Sequence, residues 1–203
     1  MSAASESDET ESLLRRIEHG DGAAVDRLLR LYRPYLKRVI ELRLDPELRT
    51  RLEPSDVVQE THMVAARRMH DFLRRRPTSF RLWLRRKAIE QLVDLRRRHL
   101  GAQKRSIRGE VGLSQASSLA LIRHLASSSP SRAAQRKELA EQVRQAIEHL
   151  SDLDREILLL RHVEELSNAE VAELLQIEPA AASKRYGRAV RRLCVQLGNG
   201  GTV

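Results

Sequence analysis

The apolar residues of this 203-residue chain recur at helical spacing on both sides of one long polar break, and that break decides what the chain can fold into. Before it, Leu13, Leu14 and Ile17 form a short stripe, and Ala24, Val25, Leu28, Leu29, Leu31 and Tyr32 form a second. Val57, Val58, Met63, Val64, Ala65 and Met69 form a third, and Phe80, Leu82, Trp83, Leu84, Ala88, Ile89, Leu92, Val93 and Leu95 a fourth. After about Leu100 the spacing fades into Gly101, Gly109, Gly112, a Ser- and Ala-rich run, and Ser127-Ser128-Ser129-Pro130-Ser131. That composition reads as a linker, in which a short helix around Leu119 to Leu125 can sit. Helical spacing resumes at Leu139, Val143, Ala146, Ile147 and Leu150. β-branched runs are scarce and aromatics make up 3% of the chain, which argues against a sheet. The expectation is an all-α chain: two small helical domains, 11–100 and 132–198, joined by a flexible linker over 101–131. Residues 1–10, rich in Ser and acid, are expected to be a disordered tail.

Turn residues punctuate the first domain. Gly20-Asp21-Gly22 separates the first two helices, and Pro34 is expected to kink or restart the second. Asp45-Pro46 marks a turn, and Ser55 or Asp56 is placed to cap the next helix. Pro77 ends that helix near Arg74–Arg76, because it disfavours helix in the residue before it. Thr78 or Ser79 can cap the following one.

The C-terminal half carries a sharper pattern. Ser167 and Glu170 have the spacing of a capping box, ahead of Val171, Ala172, Leu174 and Leu175. Gln176-Ile177-Glu178 is a tight turn, and Pro179 falls at the first position of the next helix, where a missing N–H is harmless. Small Ala172 permits a close crossing, and Ile177 can fill the corner. Helix, short turn, helix is the arrangement whose second helix enters the DNA major groove. On that helix Ala182, Tyr186, Ala189, Val190 and Leu193 share an inward face. Ala181, Ser183, Lys184, Arg185 and Arg188 lie outside it, near the end that reaches base edges, and Arg191 and Arg192 lie where phosphates would run. The bland alternative is an amphipathic helix with a solvated basic face. The single cysteine, Cys194, sits among Val190, Leu193 and Leu197 and reads as a small core residue.

Charge supports a polyanionic partner. With 37 Lys and Arg against 28 Asp and Glu, the formal net charge is +9. Thirteen basic residues fall between Arg74 and Arg108, against only Glu90 and Asp94. Phe80 and Trp83 lie within this stretch and Phe72 just before it. Cations interleaved with aromatic rings suit single-stranded nucleic acid, in which rings stack on unpaired bases. The same rings suit the core of a small helical domain. Phe72 is read as core, and Trp83 fits either role. Upstream, Asp56, Gln59 and Glu60 are three to four apart and share one helix face, which would suit a basic protein partner or simply water.

These segments, in this order, resemble the extracytoplasmic-function (ECF) group of sigma-70 factors. Asp56-Val-Val-Gln-Glu-Thr61 is similar to the D-L-V-Q-E-T core-polymerase-binding helix. Ser79-Phe-Arg-Leu-Trp-Leu-Arg-Arg-Lys-Ala88 through Leu95-Arg-Arg-Arg98 is similar to the promoter-melting helix that reads the −10 element. Leu150–Arg161 and Leu166–Leu175 resemble the −35-binding domain. The resemblance implies that Asp56, Val57, Gln59, Glu60 and Thr61 dock on core RNA polymerase. It implies that Arg76, Phe80, Arg81, Trp83, Arg86, Lys87, Gln91, Arg96 and Arg97 hold the unpaired −10 strand, and that the loop after His70 takes part. The −35 contacts would be Ala181, Ser183, Lys184, Arg185, Arg188, Arg191 and Arg192. Promoter DNA, core polymerase and an anti-sigma protein are the partners it implies. No cofactor is implied.

Two other function classes compete. A helix-turn-helix regulator that binds duplex DNA without polymerase would share the C-terminal domain, but has no need of the Asp56–Thr61 face or the basic helix from Phe80. An enzyme would need clustered carboxylates or a nucleophile beside a base. His19, His62, His70, His99, His124, His149 and His162 are scattered without metal-ligand spacing, so no enzyme is expected. The N-terminus MSAASESDETES lacks the basic and apolar regions of a signal peptide, and no apolar run approaches the roughly 20 residues of a membrane span. The expected location is the cytoplasm, with no membrane insertion.

Overall fold

A computed structural model describes residues 3–44, 52–99 and 142–199. The turn expected at Asp45-Pro46, the linker 101–131 with its short helix, and the cap at Ser131 lie outside the described residues. Those residues are all-α, and the chain divides into two compact units, Met1–Glu110 and Val111–Val203.

The N-terminal unit has four helices: α1 (Ala3–Glu18), α2 (Gly22–Arg43), α3 (Pro54–Arg75) and α4 (Phe80–His99). α2 packs against each of the other three, and α3 packs on α4. Leu28, Leu36, Ile40 and Leu84 are fully buried at their meeting point. Tyr32, Phe72, Phe80 and Trp83 form one aromatic cluster, with Tyr35 at its edge. Ring centroids lie 5.2 Å apart for Tyr32–Phe80, 5.4 Å for Phe72–Phe80 and 4.8 Å for Phe72–Trp83. Such offset and edge contacts are how the aromatic quadrupoles attract.

Three sequence expectations change here. Residues 3–10 are helical rather than a disordered tail. Thr10 is buried, its hydroxyl 2.9 Å from Tyr32 Oη and donating to the Glu6 carbonyl, and Arg27 pairs with Glu9 at 3.0 Å. With Leu13 and Leu14 buried, these contacts fasten α1 along its length. Pro34 does not restart the helix: α2 runs unbroken through it. Pro34 faces solvent while Tyr32, Tyr35 and Leu36 are buried beside it, so the missing N–H lies on the wet side, and packing holds the helix together. α3 begins two residues before a cap at Ser55 would place it. Glu53 is its N-cap without a side-chain bond, and Pro54 takes the first position. Arg76 ends it in the left-handed conformation (φ 35°, ψ 58°), and Ser79 accepts a bond from the Leu82 amide at the start of α4.

The C-terminal unit contains a helical stretch over 142–148, then α5 (Asp152–His162), α6 (Asn168–Leu175) and α7 (Pro179–Asn199). α7 packs on both α5 and α6. Val143, Ala146, Ile147, Ile157, Leu158, Leu160, Leu166 and Val171 are buried in the core. Ser151 caps α5 by accepting from the Asp154 amide at 3.2 Å. Cys194 corrects another expectation: it is exposed. Leu193 takes the inward position, and one residue further turns the side chain about 100° around the helix, into solvent.

Candidate nucleic-acid and polymerase interfaces

The helix-turn-helix is assembled from local bonds. Ser167 Oγ accepts from the Glu170 amide at 3.2 Å, and Glu170 Oε2 accepts from the Ser167 amide at 2.8 Å, so both halves of the capping box form. Gln176 closes α6 in the left-handed conformation (φ 52°), and the Ile177 amide returns to the Ala172 carbonyl at 3.0 Å. Asn168 Nδ2 donates to the Pro179 carbonyl at 2.9 Å, tying the start of α6 to the start of α7. Ala172, Ala182 and Ala189 are buried where the helices approach, and their size is what allows that approach. Ile177 is only half-buried in the corner.

On α7, Tyr186 is half-buried. Its hydroxyl lies 3.1 Å from His162 Nε2, and the Arg161 guanidinium sits 5.4 Å from its ring centroid. Arg161 also donates to the Leu166 carbonyl at 2.6 Å, so one side chain braces α7 against α5. Ala181, Ser183, Lys184, Arg188 and Arg191 are exposed and Arg185 half-buried. Lys184, Arg185, Arg188 and Arg191 have no ion-pair partner among the described residues, which leaves four cations for an anionic ligand. Arg192 differs from its sequence reading. It donates to Asp154, which is buried on α5, so its charge is engaged within the fold.

The motif Asp56–Thr61 divides between surface and core. Asp56 and Gln59 are exposed and Glu60 half-buried on α3. Val57 is 1% exposed and Thr61 0%, with the Thr61 hydroxyl donating to the Val57 carbonyl at 2.7 Å. Both side chains are closed off from solvent, and so from the surface that a docked partner would meet. Met63, absent from the sequence-derived set, is 48% exposed and lies seven residues beyond Asp56, on the same stripe. That heptad step is the signal that would have found it. Beside the stripe, His62 is half-buried, and burial, with the nearby Arg33 charge, holds its imidazole below the usual histidine range.

The residues assigned to single-stranded DNA also divide. Phe80 and Trp83 are buried (Trp83 6% exposed) in the aromatic cluster, so their faces are taken by Phe72 and Tyr32 rather than offered to bases. Arg81 lies 4.4 Å over the Tyr35 ring. Arg76 pairs with Glu11 at 2.6 Å and Glu18 at 2.9 Å on α1. The bond it donates to Glu11, opposed in part by burial and aided by Glu18, raises its pKa above that of a free guanidinium. Lys87 pairs with Glu90 at 2.6 Å, and Gln91 is half-buried. Arg86 and Arg97 are exposed. Being eleven residues apart, three helical turns, they share one face of α4. Arg96 lies on the same helix, its side chain outside the described set.

No helix among the described residues is long and apolar enough to cross a membrane. Residues 140–193 match the family model for sigma-70, region 4. No curated protein matches the chain. Among solved structures, that of CnrH in complex with the cytosolic domain of CnrY is similar in fold. It is 24% identical, covering 94% of this chain and 98% of that one, with a TM-score of 0.54. A chain of the RsbN–BldN complex is 20% identical, covering 89% and 96%, with a TM-score of 0.34. The match to sigma-70, region 4 thus spans the last core residues before α5, then α5, α6 and most of α7, the helices that form the helix-turn-helix of the C-terminal unit.

Proposed function

We propose that this protein is an RNA polymerase sigma factor of the ECF type, which binds core polymerase and directs it to promoters. The observation that carries the reading is the pairing, in one chain, of a region 4 domain with an N-terminal helix that turns Asp56 and Gln59 outward in a D-V-V-Q-E-T sequence. Residues 11–100 act as the region 2-like domain, with α1 extending it toward the N-terminus, and 132–198 as the region 4-like domain. Asp56, Gln59 and Glu60 dock on polymerase. Arg86, Lys87, Gln91 and Arg97 follow the opened −10 strand. Ala181, Ser183, Lys184, Arg185, Arg188 and Arg191 meet the −35 duplex. The protein acts in the cytoplasm as a polymerase subunit and catalyses no reaction of its own. CnrH is bound by the cytosolic domain of CnrY, which supports an anti-sigma protein as a further partner here.

The test is binding of the full-length chain to purified core polymerase. Asp56→Arg with Glu60→Arg should reduce that affinity at least about a hundredfold, since two charge reversals at a complementary interface cost several kcal/mol. Duplex DNA binding through the C-terminal unit should persist. Unchanged polymerase affinity in the double variant would move the docking face elsewhere. Absence of polymerase binding by the wild type would favour a regulator that binds duplex DNA alone.

A further inference from the structure

Arg76 was assigned to DNA on sequence, yet its guanidinium is turned toward α1. One nitrogen meets Glu11 at 2.6 Å and another meets Glu18 at 2.9 Å, across 65 and 58 positions of sequence. Its backbone is left-handed (φ 35°), a region that non-glycine residues with long side chains seldom adopt, and Pro77 follows directly. Such a conformation persists where surrounding contacts impose it. The contacts here come from two sides. The Arg76 amide donates to the Phe72 carbonyl at 2.7 Å, and the side chain is held by a helix fastened through Leu13, Leu14 and the Thr10–Tyr32 bond. The short connection from Arg76 to Ser79 sets where α4 begins. Within it, the Thr78 hydroxyl is buried without a hydrogen-bond partner.

We infer that Arg76 is a positioning residue. Clamped by Glu11 and Glu18, it fixes the Arg76–Ser79 loop in the shape that receives the unpaired promoter strand, and it does not itself contact DNA. This rests on the sigma reading. A single exposed ion pair contributes little, but one guanidinium shared by two carboxylates and coupled to a left-handed backbone turns the pair into a geometric constraint. α1, acidic and distant in sequence from the DNA-facing residues, thereby gains a role in strand capture.

The experiment uses holoenzyme formed with the full-length chain. The probe is a fluorescent single-stranded oligonucleotide from the nontemplate strand of a promoter mapped by run-off transcription. Arg76→Glu should weaken strand binding about tenfold, the scale on which one strained residue shifts an equilibrium when its support is removed. Affinity for core polymerase and for a −35 duplex should stay within about twofold. Adding Glu11→Arg and Glu18→Arg to that variant should restore strand binding to within about twofold, because the clamp re-forms with its charges exchanged. If the exchange fails to restore binding, Arg76 contacts the strand itself and the proposal is overturned. A parallel fall in polymerase affinity would mean that the clamp only supports the fold, and would also overturn it. A wild-type holoenzyme that binds neither strand nor promoter would instead sink the sigma reading, and is recognised because no variant is needed to see it.

Discussion

Trp83→Ala separates the two roles that the sequence left open for this residue. Trp83 is 6% exposed, with its ring 4.8 Å from Phe72 and 5.6 Å from Phe80. Truncating a buried Trp to Ala costs about 3–5 kcal/mol, made up of lost transfer energy and the cavity left behind. The two ring contacts account for roughly 0.5–1.5 kcal/mol each beyond area burial. For a unit of this size, roughly 4–8 °C of melting temperature accompanies each kcal/mol, so the N-terminal unit should melt about 12–40 °C lower. Trp83→Phe, which keeps one ring in the cluster and leaves a smaller cavity, should cost less, about 1–3 kcal/mol. Wild-type unfolding can be followed by fluorescence, because Trp83 is the only Trp in the chain, and the variants by circular dichroism. A core residue also predicts equal loss of transcription from duplex and pre-melted templates. The reasoning fails if Trp83→Ala melts within a few degrees of wild type while transcription falls selectively on the duplex template. That result would mean the ring leaves the cluster to stack on an unpaired base.

Further outcomes follow from the same structure. Arg192→Ala strands the buried Asp154 carboxylate and should destabilise the C-terminal unit by about 1–3 kcal/mol, while leaving the salt dependence of DNA binding unchanged. Chemical denaturation together with a salt titration checks both parts. Arg188→Ala should do the reverse: stability within about 0.5 kcal/mol, and a salt slope smaller by about 0.9 if it meets one phosphate. His62 has a lowered pKa, so between its folded and unfolded values the unfolded chain binds more protons and stability rises with pH. Its contribution is present above the ordinary histidine range and is lost as pH falls through the folded value. Melting temperatures measured from pH 7.5 to 5 should therefore drop less steeply for His62→Gln than for wild type.

What the sequence disclosed follows the range over which each force acts. The capping box at Ser167 and Glu170 and the start of α7 at Pro179 were legible because three-residue spacing and a missing N–H are local facts. Whether Val57 and Thr61 face a partner or the interior was not, since a docking motif and a packed helix face share the same apolar residues. The aromatic run at Phe80 and Trp83 served stacking and core equally well on paper, and only burial by Phe72 and Tyr32 decides between them. Arg76 and Arg192 read as free cations because their partners lie 65, 58 and 38 positions away. Residues 3–10 resembled a disordered tail for the same reason: Thr10 and Glu9 gain order from Tyr32 and Arg27, which no local pattern announces.

The central claim is tested most directly by run-off transcription with purified core polymerase on genomic fragments, in the presence and absence of the full-length chain. The account predicts discrete transcripts that appear only when the chain is added, and that vanish with Asp56→Arg combined with Glu60→Arg. Fragments bound by the chain, yet giving no chain-dependent transcript with core polymerase, would contradict it and leave a duplex-binding regulator in its place.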